Sequence, residues 1–129
     1  MTKAVIFDMF ETLVSMFSGD TYFSENMASD MNIPVDEYKK AWHSTEHDRS
    51  CGNCTVEEGI KRTLEMIGAY NEESVDLIAG KRRQILQGIF ERTPKETIAL
   101  LQALKDKGLK IGLISNCYSD EAKIIRVFL

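Results

Sequence analysis

The chain has 129 residues, 43% hydrophobic and 28% charged, with two prolines. That balance excludes a disordered or low-complexity segment, and a chain of this size can bury about 65% of the surface it exposes when unfolded, enough for one core. The net charge of −4 and a pI of about 5.2 come without a basic block, so nucleic acid and anionic membranes have no electrostatic footing as partners.

The N-terminal "MTKAVIF" has too short an apolar run for a signal peptide, and no later segment is apolar enough to span a bilayer. The cytoplasm is the expected compartment. "AVIF" (4–7) reads as a buried strand that runs straight into Asp8, with Phe10, Glu11 and Thr12 in the turn beyond. Helical periodicity then fills residues 20 to 90. Tyr22, Phe23, Met27 and Met31 form the first apolar stripe. Pro34 suits the first turn of the next helix, which carries Val35, Tyr38, Ala41 and Trp42. Thr55 and Glu58 have capping-box spacing, Ile60, Leu64 and Ile67 form a stripe, and Gly68 can close that helix. Asn71 is the expected cap of a further helix with Val75, Ile78, Ile85 and Ile89 inward. These Met and aromatic stripes read as helix packing, not as a cofactor box.

Thr93, Pro94 and Glu96 supply a cap, a first-turn proline and a reciprocal capping partner for a helix that ends at Gly108. "LKIGLIS" (109–115) is the second strand, and it ends on Ser115 and Asn116. Ser119 or Asp120 starts a last helix. The order is strand, several helices, strand, helix, which implies a parallel strand pair. Residues 15–92 are too long for a plain crossover and read as an inserted helical segment.

Cys51, Cys54 and Cys117 are an odd count in a chain with no signal peptide, so reduced thiols are expected. Cys51 and Cys54 form a single C-x-x-C. A structural zinc site needs about four ligands, and the upstream His43 and His47 match no zinc spacing. A bland loop is the simpler reading. Cys117 has no histidine downstream to activate it as a nucleophile.

Open α/β sheets bind ligands beyond the carboxyl ends of their strands. Two parallel neighbours would bring Asp8, Glu11 and Thr12 to one rim with Ser115 and Asn116. A carboxylate there can act as a nucleophile or a metal ligand, and hydroxyl and N–H groups can hold an anion. The structural alternative is that Asp8 and Thr12 merely cap a turn.

"VIFDMFETLV" resembles the first motif, hhhhDxDx(T/V), of the haloacid dehalogenase-like (HAD) superfamily. "IGLISNC" resembles its second motif, a strand ending in Ser or Thr and often followed by Asn. The long helical segment between them resembles the cap of the subfamily with an all-helical cap. The resemblance spans nearly the whole chain. It implies an α/β fold, a partial Rossmann-like parallel sheet with two strands present, and an inserted helical-bundle cap. Residues 1–14 and 93–129 would form the partial core and 15–92 the cap.

By the same resemblance Asp8 matches the nucleophile, which attacks phosphorus or carbon and forms a covalent aspartyl intermediate. Thr12 matches the threonine that braces the loop. Ser115 matches the hydroxyl that binds the transferring group, with Asn116 beside it. The implied cofactor is Mg2+, held by the Asp8 carboxylate and the backbone carbonyl of Phe10 on an incomplete site.

Two departures qualify the match. Phe10 stands where phosphatases of the superfamily carry a second Asp as general acid/base. Losing such proton help costs about 100- to 10,000-fold on a poor leaving group. Dehalogenases of the superfamily carry Tyr here, because a halide leaves unprotonated, and an acyl phosphate also needs little protonation. Glu11, where Gly is usual, reads as a solvent-facing turn residue. The chain also ends at Leu129, before the lysine and acidic cluster that family members place on later strands; C-terminal truncation is the expectation. Lys123 lies within the last helix and does not match that lysine.

The first strand would then expose an apolar, unpaired edge that invites self-association or a partner strand. In the helical segment, Arg49 can hold a substrate carboxylate or phosphate with its planar fork, and His47 can titrate near neutrality; a solvated helix end is the favoured reading of "STEHDRS" (44–50). "KRR" (81–83) reads as a solvated face. The expected function is a HAD-like hydrolase acting on a small phosphorylated or halogenated substrate, impaired by loss of the C-terminal motifs. The alternative is a non-catalytic binding or interaction protein derived from such a fold.

Overall fold

Helix, not sheet, takes most of this chain. The computed structural model describes residues 1–128. Along them run β1 (Ala4–Phe7), α1 (Ser24–Asp30), α2 (Val35–Ser44), α3 (Glu46–Cys51), α4 (Val56–Ile67), α5 (Glu72–Glu91), α6 (Lys95–Asp106), β2 (Lys110–Leu113) and α7 (Ser119–Phe128). The motifs above lead to a partial Rossmann-like α/β fold with a helical-bundle cap, and the structure corrects it. Helix accounts for 60% of the chain, and sheet among the described residues is two four-residue parallel strands. The physical reason is burial. A parallel sheet in a layered fold is covered on both faces. Here Ile6 is 62% exposed, Ile114 is 71% exposed, and α6 buries no residue. "AVIF" is therefore half exposed, in alternation, and not a buried strand.

The chain divides into two compact units. The first comprises residues 1–20 and 87–116. Its strands pair in parallel with Ala4 opposite Lys110 and Phe7 opposite Leu113. Met9, Leu13, Val14, Ile89 and Phe90 are its buried side chains. The turn after β1 is closed by the Met9 carbonyl, which accepts the N–H groups of Thr12, Leu13 and Val14. Thr97 Oγ1 ties α6 to this turn by donating to the Leu13 carbonyl at 2.9 Å.

The second unit comprises residues 21–86 and 117–129; Leu129, where the sequence suggests truncation, lies outside the described residues. Its core is Met27, Ala28, Tyr38, Trp42, Val56, Ile60, Leu64, Ile78 and Ala79. These are the helical stripes of α1, α2, α4 and α5 meeting on their apolar faces. Local signals set the helix ends. Thr55 accepts the Glu58 N–H, Glu58 reaches back to the Thr55 N–H, and Gly68 closes α4 at φ 80°. The Asn71 side chain accepts the Ser74 N–H at the start of α5. Pro34 precedes the first turn of α2 as its cap residue, not inside it. At α6 the expected capping box is not formed. The Thr93 hydroxyl donates instead to the Phe90 carbonyl, closing the end of α5, and Pro94 takes the cap position without a side-chain bond.

Candidate functional site

The candidate site is the carboxyl end of the β1–β2 pair, within the first unit. The Ile114 N–H donates to the Phe7 carbonyl at 2.9 Å. That bond extends the parallel register past the strands, so Asp8 falls level with Ile114 and next to Ser115 in the ladder. The pairing brings Asp8 and Ser115 to the same end because both strands run the same way. Asp8 is exposed, and its Oδ1 accepts the Met9 N–H at 2.9 Å. Among the described residues its carboxylate forms no ion pair. Ser115 is half-buried and Asn116 exposed, with the Ser115 Oγ a long 3.5 Å from the Asn116 carbonyl oxygen. Thr12 is exposed in the turn, its N–H on the Met9 carbonyl at 3.3 Å.

Phe10 has a packing role that explains its apolar character. Its ring meets Phe90 edge to face, with centroids 6.2 Å apart and planes at 72°. Glu11 adopts φ 57°, the left-handed region that favours glycine. Its carboxylate is occupied: it accepts from Ser15 Oγ at 3.0 Å and from the Met16 N–H at 2.7 Å. Glu11 thus braces the next turn of the chain.

Arg49 lies in the second unit, 2% exposed. Its Nε donates to Thr45 Oγ1 at 2.9 Å and its Nη2 to the Trp42 carbonyl at 3.1 Å. The guanidinium lies 3.6 Å from the Trp42 ring centroid and 4.5 Å from that of Tyr118, a desolvated cation–π setting. Gly59 makes room for it, since a Cβ there would sit 2.7 Å from Arg49 Cδ. His47 is exposed, with Cys51 Sγ 3.8 Å from its Nε2. The C-x-x-C is split between an exposed Cys51 and a buried Cys54, and all three cysteines are free thiols.

Sequence reasoning missed the buried polar cluster of the second unit. Arg82, read as part of a solvated face, is bidentate to Asp120 at 2.7 and 3.2 Å, with side chains 11% and 4% exposed. Burial pulls the Arg82 pKa down, and the Asp120 bond outweighs it, so the net direction is up. Glu121 is 6% exposed and accepts the Tyr118 N–H at 3.0 Å. Burial pushes its carboxyl above the ordinary glutamate value. The only sequence signal was acid at the start of α7 facing a basic run on α5, and 38 residues separate the pair.

A resident Mg2+ is not fitted by these donors. Asp8 and the Phe10 carbonyl supply one carboxylate and one carbonyl, where the ion prefers an octahedron of oxygens. Among the described residues, no three carboxylate, imidazole or thiol groups converge. No helix there is long and apolar enough to cross a membrane. No protein-family model, curated protein or solved structure matches the chain.

Proposed function

We propose that Asp8 is the nucleophile of a HAD-like hydrolase acting on a small phosphorylated or halogenated substrate whose leaving group departs unprotonated. The observation that supports this reading is the parallel register that carries Asp8 and Ser115 to one end of the strand pair. An Asp8 oxygen attacks phosphorus or carbon, and the bond to the leaving group breaks with its electron pair. Water then hydrolyses the aspartyl phosphate, or the aspartyl ester of the halogenated substrate, releasing the product and a proton to solvent and restoring the carboxylate. Ser115 and the Asn116 amide are the donors for the transferring group, and Thr12 steadies the turn.

Neither neighbour of Asp8 serves as a general acid. Phe10 carries no proton, and the Glu11 carboxylate is engaged by Ser15 and Met16. Turnover is weak, and the cytoplasm is the proposed compartment. Acetyl phosphate, chloroacetate and glycerol phosphate separate the outcomes. One of the first two is turned over, with acetyl phosphate favoured over the alkyl ester by about 100-fold or more, and Asp8→Asn abolishes it. Turnover unchanged in Asp8→Asn, or none of any substrate by the wild-type chain, overturns the reading.

A further inference from the structure

We propose that the free edge of β1 is a homodimer interface, in which two copies pair their β1 strands antiparallel about Ile6. The backbone of β1 has one satisfied side. Lys3 and Phe7 carbonyls accept from Lys110 and Ile114 N–H groups, so the odd-numbered residues turn their N–H and C=O toward β2. In a pleated strand the even-numbered residues then turn theirs the other way. Ala4 and Ile6 thus present N–H and C=O along the outer edge, with no backbone bond to them from another element among the described residues. Such an edge is a template for another strand.

What points to a second copy is the charge pattern that an antiparallel dyad creates. Only residues that both face the edge can exchange ladder bonds. Centring the dyad on Ile6 sets Ile6 opposite Ile6 and Ala4 opposite Asp8 of the second copy. On the exposed face, Ala4 stands beside its β2 partner Lys110, and Ile6 beside Gly112. One cross-strand row therefore reads Lys110, Ala4, Asp8 of the second copy. Two strand spacings separate the charged pair by about 10 Å between backbones, a gap that a lysine and an aspartate reach across a methyl group. Symmetry repeats the pair. The central row buries the two Ile6 side chains, each 62% exposed in the free chain, against each other. Centring on Val5 instead would face Lys3 with Phe7 and make no such charge pair.

Sedimentation velocity and light scattering over a concentration series, under reducing conditions, test the interface. The wild-type chain shifts from monomer to dimer as concentration rises. Ile6→Lys, a change on an exposed side chain checked by an unaltered circular dichroism spectrum, weakens the dimer at least 10-fold. Lys110→Glu also weakens it, and Lys110→Glu combined with Asp8→Lys restores it. In a Cys51→Ser background, Ile6→Cys forms a disulfide between the two introduced residues, located by peptide mass spectrometry. A monomer at every concentration, a dimer indifferent to Ile6→Lys, or absence of both the 6–6 cross-link and the charge-swap recovery overturns the proposal.

Discussion

Glu121 is an acid that the fold holds away from water. Burial raises its carboxyl above the ordinary glutamate value, Asp120 adds to that, and the Tyr118 N–H, Arg82 and Arg49 oppose it. Between the ordinary value and the raised one, the folded chain keeps a proton that the unfolded chain has released. Stability from this group is therefore full below the ordinary value and is lost as pH rises through the raised one. Glu121→Gln keeps an oxygen for the Tyr118 N–H and removes the ionisation. It is expected to raise the thermal midpoint at about pH 7 and to raise it less at about pH 4. A lower midpoint at neutral pH would mean that the anion's attraction to Arg82 and Arg49 outweighs its burial. Arg49 teaches a related lesson about legibility. Its helix, α3, is polar all round in sequence, so the arginine reads as part of a solvated helix end, with a substrate anion as the alternative partner. Its slot is built from Trp42 on α2, Tyr118 before α7 and the missing side chain of Gly59. Residues so far apart leave no local pattern, whereas the placement of Asp8 after a short apolar strand is a local signal, as is Ser115 at the end of the next.

At the scale of elements, helix ends were legible where the signal is spent locally. The Thr55–Glu58 box and Gly68 bracket α4 as their spacing suggests. Thr93, Pro94 and Glu96 carry the same signal and form no box, because the Thr93 hydroxyl finds the Phe90 carbonyl first. This contrast predicts unequal costs. Thr55→Ala removes a working cap and should destabilise by about 1 kcal/mol. Gly68→Ala should cost about 1 kcal/mol as well, although nothing lies within 4 Å of the added Cβ, because φ 80° is the left-handed region. Gly68→Asn should cost less. Glu96→Ala, by contrast, should fall within about 0.5 kcal/mol. Urea unfolding of the four variants decides it, and a Glu96→Ala loss as large as that of Thr55→Ala would contradict the assignment at α6. The strands show the complementary failure. "AVIF" has the composition of a buried strand, yet burial depends on what covers the sheet, and α6 meets β2 without burying a residue of its own.

At the scale of the molecule, the two units differ in how much apolar surface they close. The second unit encloses Met27, Tyr38, Ile60, Leu64 and Ile78 at 0% exposure. The first leaves Ile6, Ile98, Leu100 and Ile114 between 46% and 71% exposed. Local opening is easiest where few buried contacts must break. Hydrogen exchange read by mass spectrometry at low protein concentration should find the amides of α6 and β2 exchanging at least about 30-fold faster than those of central α4, a gap of roughly 2 kcal/mol. Core truncation should follow the same division. Ile60→Ala should cost about 2–5 kcal/mol, and Ile98→Ala no more than about 0.5 kcal/mol. Raising the protein concentration adds a sharper reading. If β1 pairs with a second copy, the outward N–H groups of Ala4, Ile6 and Asp8 gain bonds while those of α6 do not. Protection that grows with concentration at residues 4, 6 and 8 and not in α6 therefore ties the uncovered strand to dimer formation. Protection in α6 and β2 equal to that of α4 at every concentration would show the first unit to be closed in a way that its exposed isoleucines deny.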